Sequence, residues 1–248
     1  HRDLHYPLRR QLQMCIRDRD NTGELAVSVP CGTMYGKSED LIIVGAHHDT
    51  VYQAQGAVDD TSGTASVLEM ARQIAIIANE SGTPEYTIRF CTWGGEEEGL
   101  WGSKAYVNAN GNDLARNLRL YINLDMNHVD IDMANRGNSL RIFSNSATDI
   151  NHVSDIIDVL NDEQPTLFSK YSVTLTKETT MPYNSDHAPF VYDLPDSVEG
   201  NALVCYGSGS WEYHTYKDDM SRFNEESLGV SVIAYGTYIR YLAWPVEA

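Results

Sequence analysis

The sequence predicts an α/β protein of three layers, in which helices cover both faces of a central mixed, mostly parallel β-sheet. Short segments rich in apolar and β-branched residues alternate with longer segments of helical periodicity, and this alternation is typical of α/β domains. The 248 residues, 42% of them hydrophobic, suffice to bury one substantial core. We therefore expect a single domain over residues 21–248.

The first half of this domain is predicted to contain three strands and two helices. Strands are expected over residues 24–30, 40–46 and 86–93, and the second of them (DLIIVGA) is apolar enough to be central. One helix is expected over 62–79, and another begins within 99–110. The first helix has one apolar stripe, which consists of Ala65, Leu68, Ala71, Ile74, Ala75 and Ala78.

The second half of the domain repeats the alternation. Its apolar segments are separated by polar turns, and no period of 20 to 50 residues recurs, which argues against a repeat protein. The expected elements are strands over 117–126, 139–143, 171–176 and 202–206, and helices over 149–160 and 224–244.

Residues 1–20 are an atypical segment. They hold five of the 18 Lys and Arg residues but only three of the 35 Asp and Glu residues. The stretch QLQMCIRDR resembles translated sequencing-adapter sequence, and a short native basic extension is the alternative. No signal peptide is visible, and we leave this segment out of the fold prediction.

Charge and hydropathy exclude two classes of partner. The formal net charge of −17 argues against nucleic acid, because phosphate binding requires clustered Lys and Arg. No apolar run reaches the roughly 18 to 20 residues that cross a bilayer, so we expect no membrane span.

The cysteines form no C-x-x-C pair, and Cys91 and Cys205, in strand-like runs, are predicted to be buried free thiols.

Polar clusters follow three of the predicted strands. The sequence AHHD follows LIIVG, GGEEEG follows TIRFCTW, and Asp125 follows LYIN. In an open α/β sheet, ligand sites form at this edge. Each cluster has an ordinary explanation alone: a histidine at a strand end is usually a surface residue, and Asp60, Thr61 or Ser62 could cap a helix. Together, however, they supply the nitrogen and oxygen ligands that a pair of divalent ions requires.

Five ordered motifs carry a family resemblance. They are GAHHDT (45–50), DDTSG (59–63), GGEEEGLWGS (94–103), NLDM (123–126) and YHTYKDD (213–219). With them, the chain resembles the co-catalytic zinc aminopeptidase superfamily, which also includes glutamate carboxypeptidases and glutaminyl cyclases. The resemblance implies a site at the C-terminal ends of the strands, two zinc ions per chain, and peptide substrates with a free N-terminus.

The resemblance also implies a set of metal ligands. His47 and Asp125 would bind one ion, Glu97 and His214 would bind the second, and Asp59 would bridge the two. His214 is preferred to other histidines because YHTYKDD matches the family element whose His is the ligand. In family members a cis peptide often follows the bridging Asp.

Further roles follow from the same motifs. Glu96, immediately before the metal-binding Glu, would be the general base that takes a proton from the attacking water and passes it to the leaving amine. Asp49 would orient His47 and fix its tautomer. The role of His48 is open, because a Tyr is common at that position, and Glu98 is expected to point away from the site.

Three residues are assigned more loosely. Asp186 and His187, in NSDHAPF, are expected to support the ligands or to lie on the substrate side. Asp218 falls at the trailing Asp of the last motif. The substrate pocket is expected to be lined by loops 127–138, 177–190 and 206–212. Aromatic residues in or next to these loops are Tyr183, Tyr206, Trp211 and Tyr213.

The favoured function is that of a metal-dependent aminopeptidase, and three alternatives stand beside it. A glutaminyl-peptide cyclase uses one zinc ion and lacks D-x-x-S-G in this form. A glutamate carboxypeptidase-like enzyme would want a positive pocket, and no Arg lies in a motif for one. A catalytically inactive binding ectodomain usually loses ligands. A serine hydrolase is disfavoured because no G-x-S-x-G occurs. Relatives are mostly secreted, periplasmic or vacuolar, so the resemblance implies a secreted or extracytoplasmic location; nothing in the sequence indicates the oligomeric state.

Overall fold

A mixed eight-stranded sheet forms the centre of the computed structural model, which describes residues 9–10, 14–20, 23–129, 139–207 and 213–245, with side chains from Ala26 onward. A second sheet has two strands. The strands are β1 (Arg9–Arg10), β2 (Met14–Asp20), β3 (Gly23–Val29), β4 (Cys31–Met34), β5 (Leu41–His47), β6 (Thr87–Trp93), β7 (Leu118–Leu124), β8 (Ser139–Ser144), β9 (Ser172–Lys177) and β10 (Ala202–Tyr206).

The strand order of the large sheet is β1-β4-β6-β5-β7-β10-β8-β9. Four neighbouring pairs are parallel (β6 with β5, β5 with β7, β7 with β10, β8 with β9), and three are antiparallel. Strands β2 and β3 pair antiparallel in the small sheet. The predicted mixed, mostly parallel sheet is therefore confirmed, and the strand formed by residues 14–20 lies in the segment that we had left out of the prediction. That this segment is atypical stays a prediction.

Helices cover both faces of the sheet. They are α1 (Thr61–Ser81), α2 (Trp101–Asn117), α3 (Ala147–Glu163), α4 (Pro165–Phe168), α5 (His187–Tyr192) and α6 (Glu225–Ala243), with single turns of 3₁₀ helix at Pro195–Ser197 and Met220–Arg222. Helices α1, α3 and α6 share one apolar core with the sheet, and α2 and α5 share the other. Along β5, Ile42 and Val44 enter the first core and Leu41 and Ile43 the second, as side chains that alternate along a strand must.

Helix α1 has nearly the predicted extent, and part of its predicted apolar stripe faces the core. Its buried residues are Ser62, Gly63, Ser66, Val67, Met70 and Ile74. Of the predicted apolar stripe, Ile74 is buried and Ala71, Ala75 and Ala78 pack against the core, whereas Leu68 is 63% exposed and Ala65 is also exposed. Small polar residues take the inner positions in the first turns because α1 begins beside a cluster of polar side chains, so counting only apolar residues misplaced the start of the stripe.

The prediction that Cys91 is a free thiol is wrong. Cys91 forms a disulfide with Cys31, because β4 pairs antiparallel with β6 and these two cysteines face each other in the register. The prediction missed this pairing because it did not include β4. Cys205 is free and buried, as predicted, and burial raises the pKa of its thiol to about 12.

The topology sets where a ligand site can form. Strands β5, β6, β7 and β10 all end at the same edge of the sheet, and the residues after these ends carry the predicted polar clusters. Among the described residues, no helix combines the length and apolarity needed to cross a membrane.

Candidate metal centre

Two groups of side chains at this edge of the sheet could each hold a metal ion. The first, called here the inner group, comprises His47, Asp60 and Asp125. The second, the outer group, comprises Asp59, Glu97 and His214. Within each group, one ligand atom of every residue lies within 4.8 Å of the others. The five predicted ligands are thus brought together, and Asp60 joins them.

Asp59 connects the two groups. Its Oδ1 lies 3.1 Å from Nε2 of His47, and its Oδ2 lies 3.2 Å from Nε2 of His214. The inner partner Asp125 places Oδ1 3.9 Å from the same nitrogen of His47, and the outer partner Glu97 places Oε2 2.9 Å from the same nitrogen of His214. One carboxylate therefore faces both histidines, which is the arrangement that a bridging ligand requires.

Local backbone structure explains how DDTSG presents its two carboxylates. The peptide bond between Asp59 and Asp60 is cis. Asp60 caps α1, since its Oδ1 accepts hydrogen bonds from the amides of Gly63 (2.9 Å) and Met126 (3.0 Å). A Cβ at Gly63 would lie 2.4 Å from Oδ2 of Asp60, so this position requires glycine. Asp60 is both the cap that the sequence allowed and a neighbour of His47, at 4.0 Å.

The inner group lies in an environment that disfavours its negative charges. Burial raises the pKa of Asp60 well above its usual value and also raises that of Asp125. Burial alone would lower the pKa of His47, but the hydrogen bond to Asp59 and the nearby carboxylates of Asp60, Asp125 and Glu96 outweigh it and raise that pKa well above its usual value. Without a metal, a proton held on His47 offsets the carboxylates.

A divalent cation would fit this arrangement. Oδ2 of Asp60 is a buried atom with no hydrogen-bond partner among the described residues. Burying carboxylates and leaving such atoms unpaired costs free energy unless a positive charge compensates. Imidazole nitrogens and carboxylate oxygens are ligands that Zn²⁺ accepts.

The three side chains of the triplet Glu96–Glu98 differ in their position and burial. Glu97 belongs to the outer group, and Glu98 is exposed. Glu96 belongs to neither group, and burial, together with the charges of Asp186, Asp125 and Glu97, raises its pKa to about 9. The turn that carries the triplet includes Gly95 with a φ of 71°, a conformation that favours glycine.

Asp49 contacts the turn that carries Glu96 and Glu97, in addition to its predicted partner, His47. Its Oδ1 and Oδ2 accept hydrogen bonds from the amides of Glu96 and Glu97, both at 3.2 Å. Nδ1 of His47 lies 3.1 Å from the carbonyl oxygen of Asp49 and 3.8 Å from its carboxylate. Asp49 thus fixes both the histidine and the turn that follows β6.

Asp218 supports the backbone of Asp59. Its Oδ1 accepts a hydrogen bond from the amide of Val58 (2.8 Å), and its Oδ2 accepts one from the amide of Asp59 (3.0 Å). His214 has a φ of 59°, in the left-handed region that few residues other than glycine adopt, and the ring of Tyr213 stacks on its imidazole with 3.6 Å between centroids. These contacts fix two ligands of the outer group.

Asp186 and His187 lie outside both groups. Asp186 is 1% exposed and accepts a hydrogen bond from the hydroxyl of Ser103, and burial raises its pKa to about 7. Nε2 of His187 must donate to the carbonyl oxygen of Pro182, which lies 2.7 Å away, and burial lowers the pKa of His187 to about 4. His187 therefore has the contacts of a buried neutral histidine.

Sequence reasoning missed several supporting residues. The amide of Val51 donates to Oε1 of Glu97 (3.2 Å), and Nε2 of Gln53 donates to the carbonyl oxygen of His214 (3.4 Å). Nδ2 of Asn123 donates to the hydroxyl oxygen of Ser185 (2.9 Å), and a hydrogen bond with Ser185 partly offsets the rise that burial causes in the pKa of Asp125. No motif or spacing marked Val51 or Gln53, and Ser185 lies in NSDHAPF without having been assigned a role. Trp211 and residues 130–138 and 208–212, expected in the substrate pocket, lie outside the described residues.

His48, the position left open, turns away from both groups. Its Nδ1 lies 3.1 Å from the hydroxyl of Thr92 and its Nε2 3.3 Å from the hydroxyl of Ser28. Burial and the neighbouring His47 lower its pKa, although Asp49 acts in the opposite direction. His48 therefore joins β5 to β6 and β3 through polar contacts.

Comparisons with known proteins point to one family. The model of peptidase family M28 matches residues 31–235. A probable lipoprotein aminopeptidase of Mycobacterium tuberculosis is 39% identical over 101 residues, which are 41% of this chain and 19% of that protein. The aminopeptidase YwaD of Bacillus subtilis is 28% identical over 204 residues, which are 77% of this chain and 39% of that protein.

Solved structures agree with the fold. An aminopeptidase from Aneurinibacillus sp. superposes with a TM-score of 0.66 at 25% identity, over 89% of this chain and 49% of that one. A zinc aminopeptidase from Bacillus subtilis superposes with a TM-score of 0.68 at 23% identity, over 89% of this chain and 51% of that one. The chain thus spans about half the length of these structures.

Proposed function

The chain belongs to peptidase family M28, and we propose that it is an aminopeptidase that releases the N-terminal residue of peptides at a centre of two zinc ions. The observation that carries this proposal is the position of Asp59, whose two oxygens face His47 and His214 at 3.1 and 3.2 Å. A carboxylate shared in this way, with an unused glutamate beside it, suits a hydrolase that uses two metal ions.

His47 and Asp125 would hold one ion, Glu97 and His214 the other, and Asp59 both. When bound, the zinc ions would polarise the carbonyl of the scissile peptide bond and lower the pKa of a bound water toward neutrality. The name of a zinc aminopeptidase among the similar structures supports the choice of metal.

Glu96 is the proposed general base. It lies next to Glu97 in the turn that Asp49 holds by both amides, yet it belongs to neither ligand group. Its carboxylate is thus free to take a proton from the attacking water and deliver it to the leaving amine. Its pKa of about 9 describes the protein without metal, and a nearby positive charge would lower it.

The two enzymatic alternatives receive less support. A glutamate carboxypeptidase would need cations beside the centre, but arginines such as Arg119 and Arg72 pair elsewhere, with Asp149 and Glu69 respectively. A cyclase with a single zinc ion would have no use for the second ligand group. An inactive binding domain would not need Glu96 in addition to both groups.

We also propose that the protein functions in an oxidising, extracytoplasmic compartment. The disulfide between Cys31 and Cys91 supports this location, since disulfides persist mainly outside the cytosol. The similar protein from Mycobacterium tuberculosis is named a lipoprotein aminopeptidase.

Metal removal tests the proposed activity. We expect a chelator to abolish hydrolysis of a leucyl anilide and added zinc to restore it, whereas an N-acetylated leucyl anilide should remain uncleaved throughout. Hydrolysis that is indifferent to the chelator would contradict the metal centre, and equal cleavage of the blocked substrate would contradict an aminopeptidase.

A further inference from the structure

Two loops meet beside the outer group. Residues 50–57 and 213–218 are joined by hydrogen bonds from Gln53 to the carbonyl oxygen of His214 (3.4 Å) and from the amide of Ala57 to the carbonyl oxygen of Asp218 (3.5 Å). The first loop also contacts Glu97 through the amide of Val51. Both loops are therefore fixed to the outer group and to each other.

Each of these loops exposes a tyrosine that does not serve the core. Tyr52 is fully exposed at the tip of a turn that the amide of Ala54 closes on the carbonyl oxygen of Val51 (3.0 Å). Tyr216 is 68% exposed. Single exposed aromatic residues are common. Tyr52 and Tyr216, however, stand on adjoining, anchored loops next to a cluster of candidate ligand side chains, where exposed apolar surface can serve binding.

We propose that Tyr52 and Tyr216 form a rim that binds the part of a peptide beyond its first residue. This proposal rests on the proposed function. An aminopeptidase cleaves after one residue, so the rest of every substrate must leave the centre across its exposed side. The outer group is the exposed side here, because the side chain of His214 is 38% exposed while that of His47 is 2% exposed.

The chemistry of the rim selects a class of substrate. A tyrosine offers a large apolar face and a hydroxyl, and it loses little conformational entropy when it is immobilised. Peptides of three or more residues with apolar or aromatic side chains after the cleaved bond would cover the rings of both Tyr52 and Tyr216. Binding energy from this remote part would favour such peptides over single aminoacyl compounds.

The test compares two substrates that share their first residue. The substrates are leucyl anilide and the tetrapeptide amide Leu-Phe-Ala-Phe, and the variants are Tyr52→Ala, Tyr216→Ala and the corresponding Phe substitutions. We expect each Ala variant to lower kcat/KM for the tetrapeptide by about five-fold and to leave the anilide within about two-fold. The Phe variants, which keep the apolar ring, should retain most of the wild-type value.

Tyr241→Ala is the matched control, since Tyr241 is 47% exposed on α6, away from both loops. This variant should leave kcat/KM unchanged for both substrates. Unchanged tetrapeptide kinetics in both Ala variants would overturn the rim proposal and would assign the tyrosines to another partner. An equal loss of kcat/KM for both substrates would also overturn the rim proposal, because it would indicate a general effect on the centre. Failure of the proposed function has a different signature: the wild-type protein would cleave neither substrate, and the rim proposal would fail with it.

Discussion

The two halves of the metal centre differ in burial and in support. All three residues of the inner group are buried, whereas in the outer group Asp59 is buried and Glu97 and His214 are half-buried. His47 and Asp125 come from the ends of the neighbouring parallel strands β5 and β7. Glu97 and His214 come from loops. His47 and Asp125 are thus positioned by the sheet, whereas Glu97 and His214 depend on loop contacts.

This difference has consequences for metal binding. An ion in the inner position would lose more of its water and would meet side chains that are already oriented. An ion in the outer position would stay closer to solvent and could exchange through the exposed side. Asp59 couples the halves because it faces a histidine in each. We therefore expect two ions of unequal lability that share one ligand.

Glu96 provides the largest expected effect, because it belongs to neither half. We expect Glu96→Gln to reduce kcat by about 100- to 10,000-fold, because a side-chain amide cannot take a proton from water. The metal content should be retained, because no candidate ligand is lost. Steady-state kinetics and metal analysis by mass spectrometry would measure both quantities. Glu98→Gln, at an exposed neighbour, is the control and should remain active. A fully active Glu96→Gln variant would show that the base lies elsewhere.

Removing one histidine from each half would separate the two positions. We expect His214→Ala to retain about one zinc ion per chain, against about two in the unchanged protein. His47→Ala should retain less and should unfold more readily, because it leaves buried carboxylates without their partner. His152→Ala, a histidine on α3 outside both groups, is the control. Equal metal loss in both ligand variants would remove the distinction between inner and outer halves.

The pH dependence of stability gives a smaller effect of definite sign. In the metal-free protein, the pKa of Glu96 is raised to about 9 and that of Asp186 to about 7, and the pKa of His47 is also raised. The folded protein then holds more protons than the unfolded chain between about pH 5 and pH 8, so its free energy of unfolding should fall as pH rises.

Thermal unfolding of chelator-treated protein would measure this slope, and about 2 to 4 °C corresponds to 1 kcal/mol for a domain of this size. Zinc-loaded protein should show the opposite trend, because metal ligands must lose their protons to bind. A metal-free protein that becomes more stable toward pH 8 would contradict the assigned charge states.

Much of the fold and of the inner half could be predicted, for physical reasons. The apolar runs before His47 and Asp125 are long enough to identify central strands, and parallel strands bring their C-terminal ends to one edge. The resemblance of the five motifs to the zinc aminopeptidase superfamily then supplied the candidate ligands. Local sequence thus placed the polar clusters at one edge of the sheet, and the resemblance chose among their members.

The remainder depended on contacts that a single sequence does not encode locally. The pairing of Cys31 with Cys91 required the position of β4, a strand of four residues. The position of Asp60 beside His47 depends on the loop between β5 and α1, and the support of Glu97 by Val51 depends on the same loop. In the outer half, loops decide the geometry, and loop conformation is the least predictable part of a chain.

Anomalous diffraction at the zinc absorption edge, from crystals of the zinc-loaded protein, tests the shared centre most directly. We predict two peaks about 3.5 to 4 Å apart, one among His47, Asp59 and Asp125 and one among Asp59, Glu97 and His214, with the inner peak surviving longer in chelator. A single peak that leaves either histidine without an ion, or two peaks that do not share Asp59, would contradict the proposed centre.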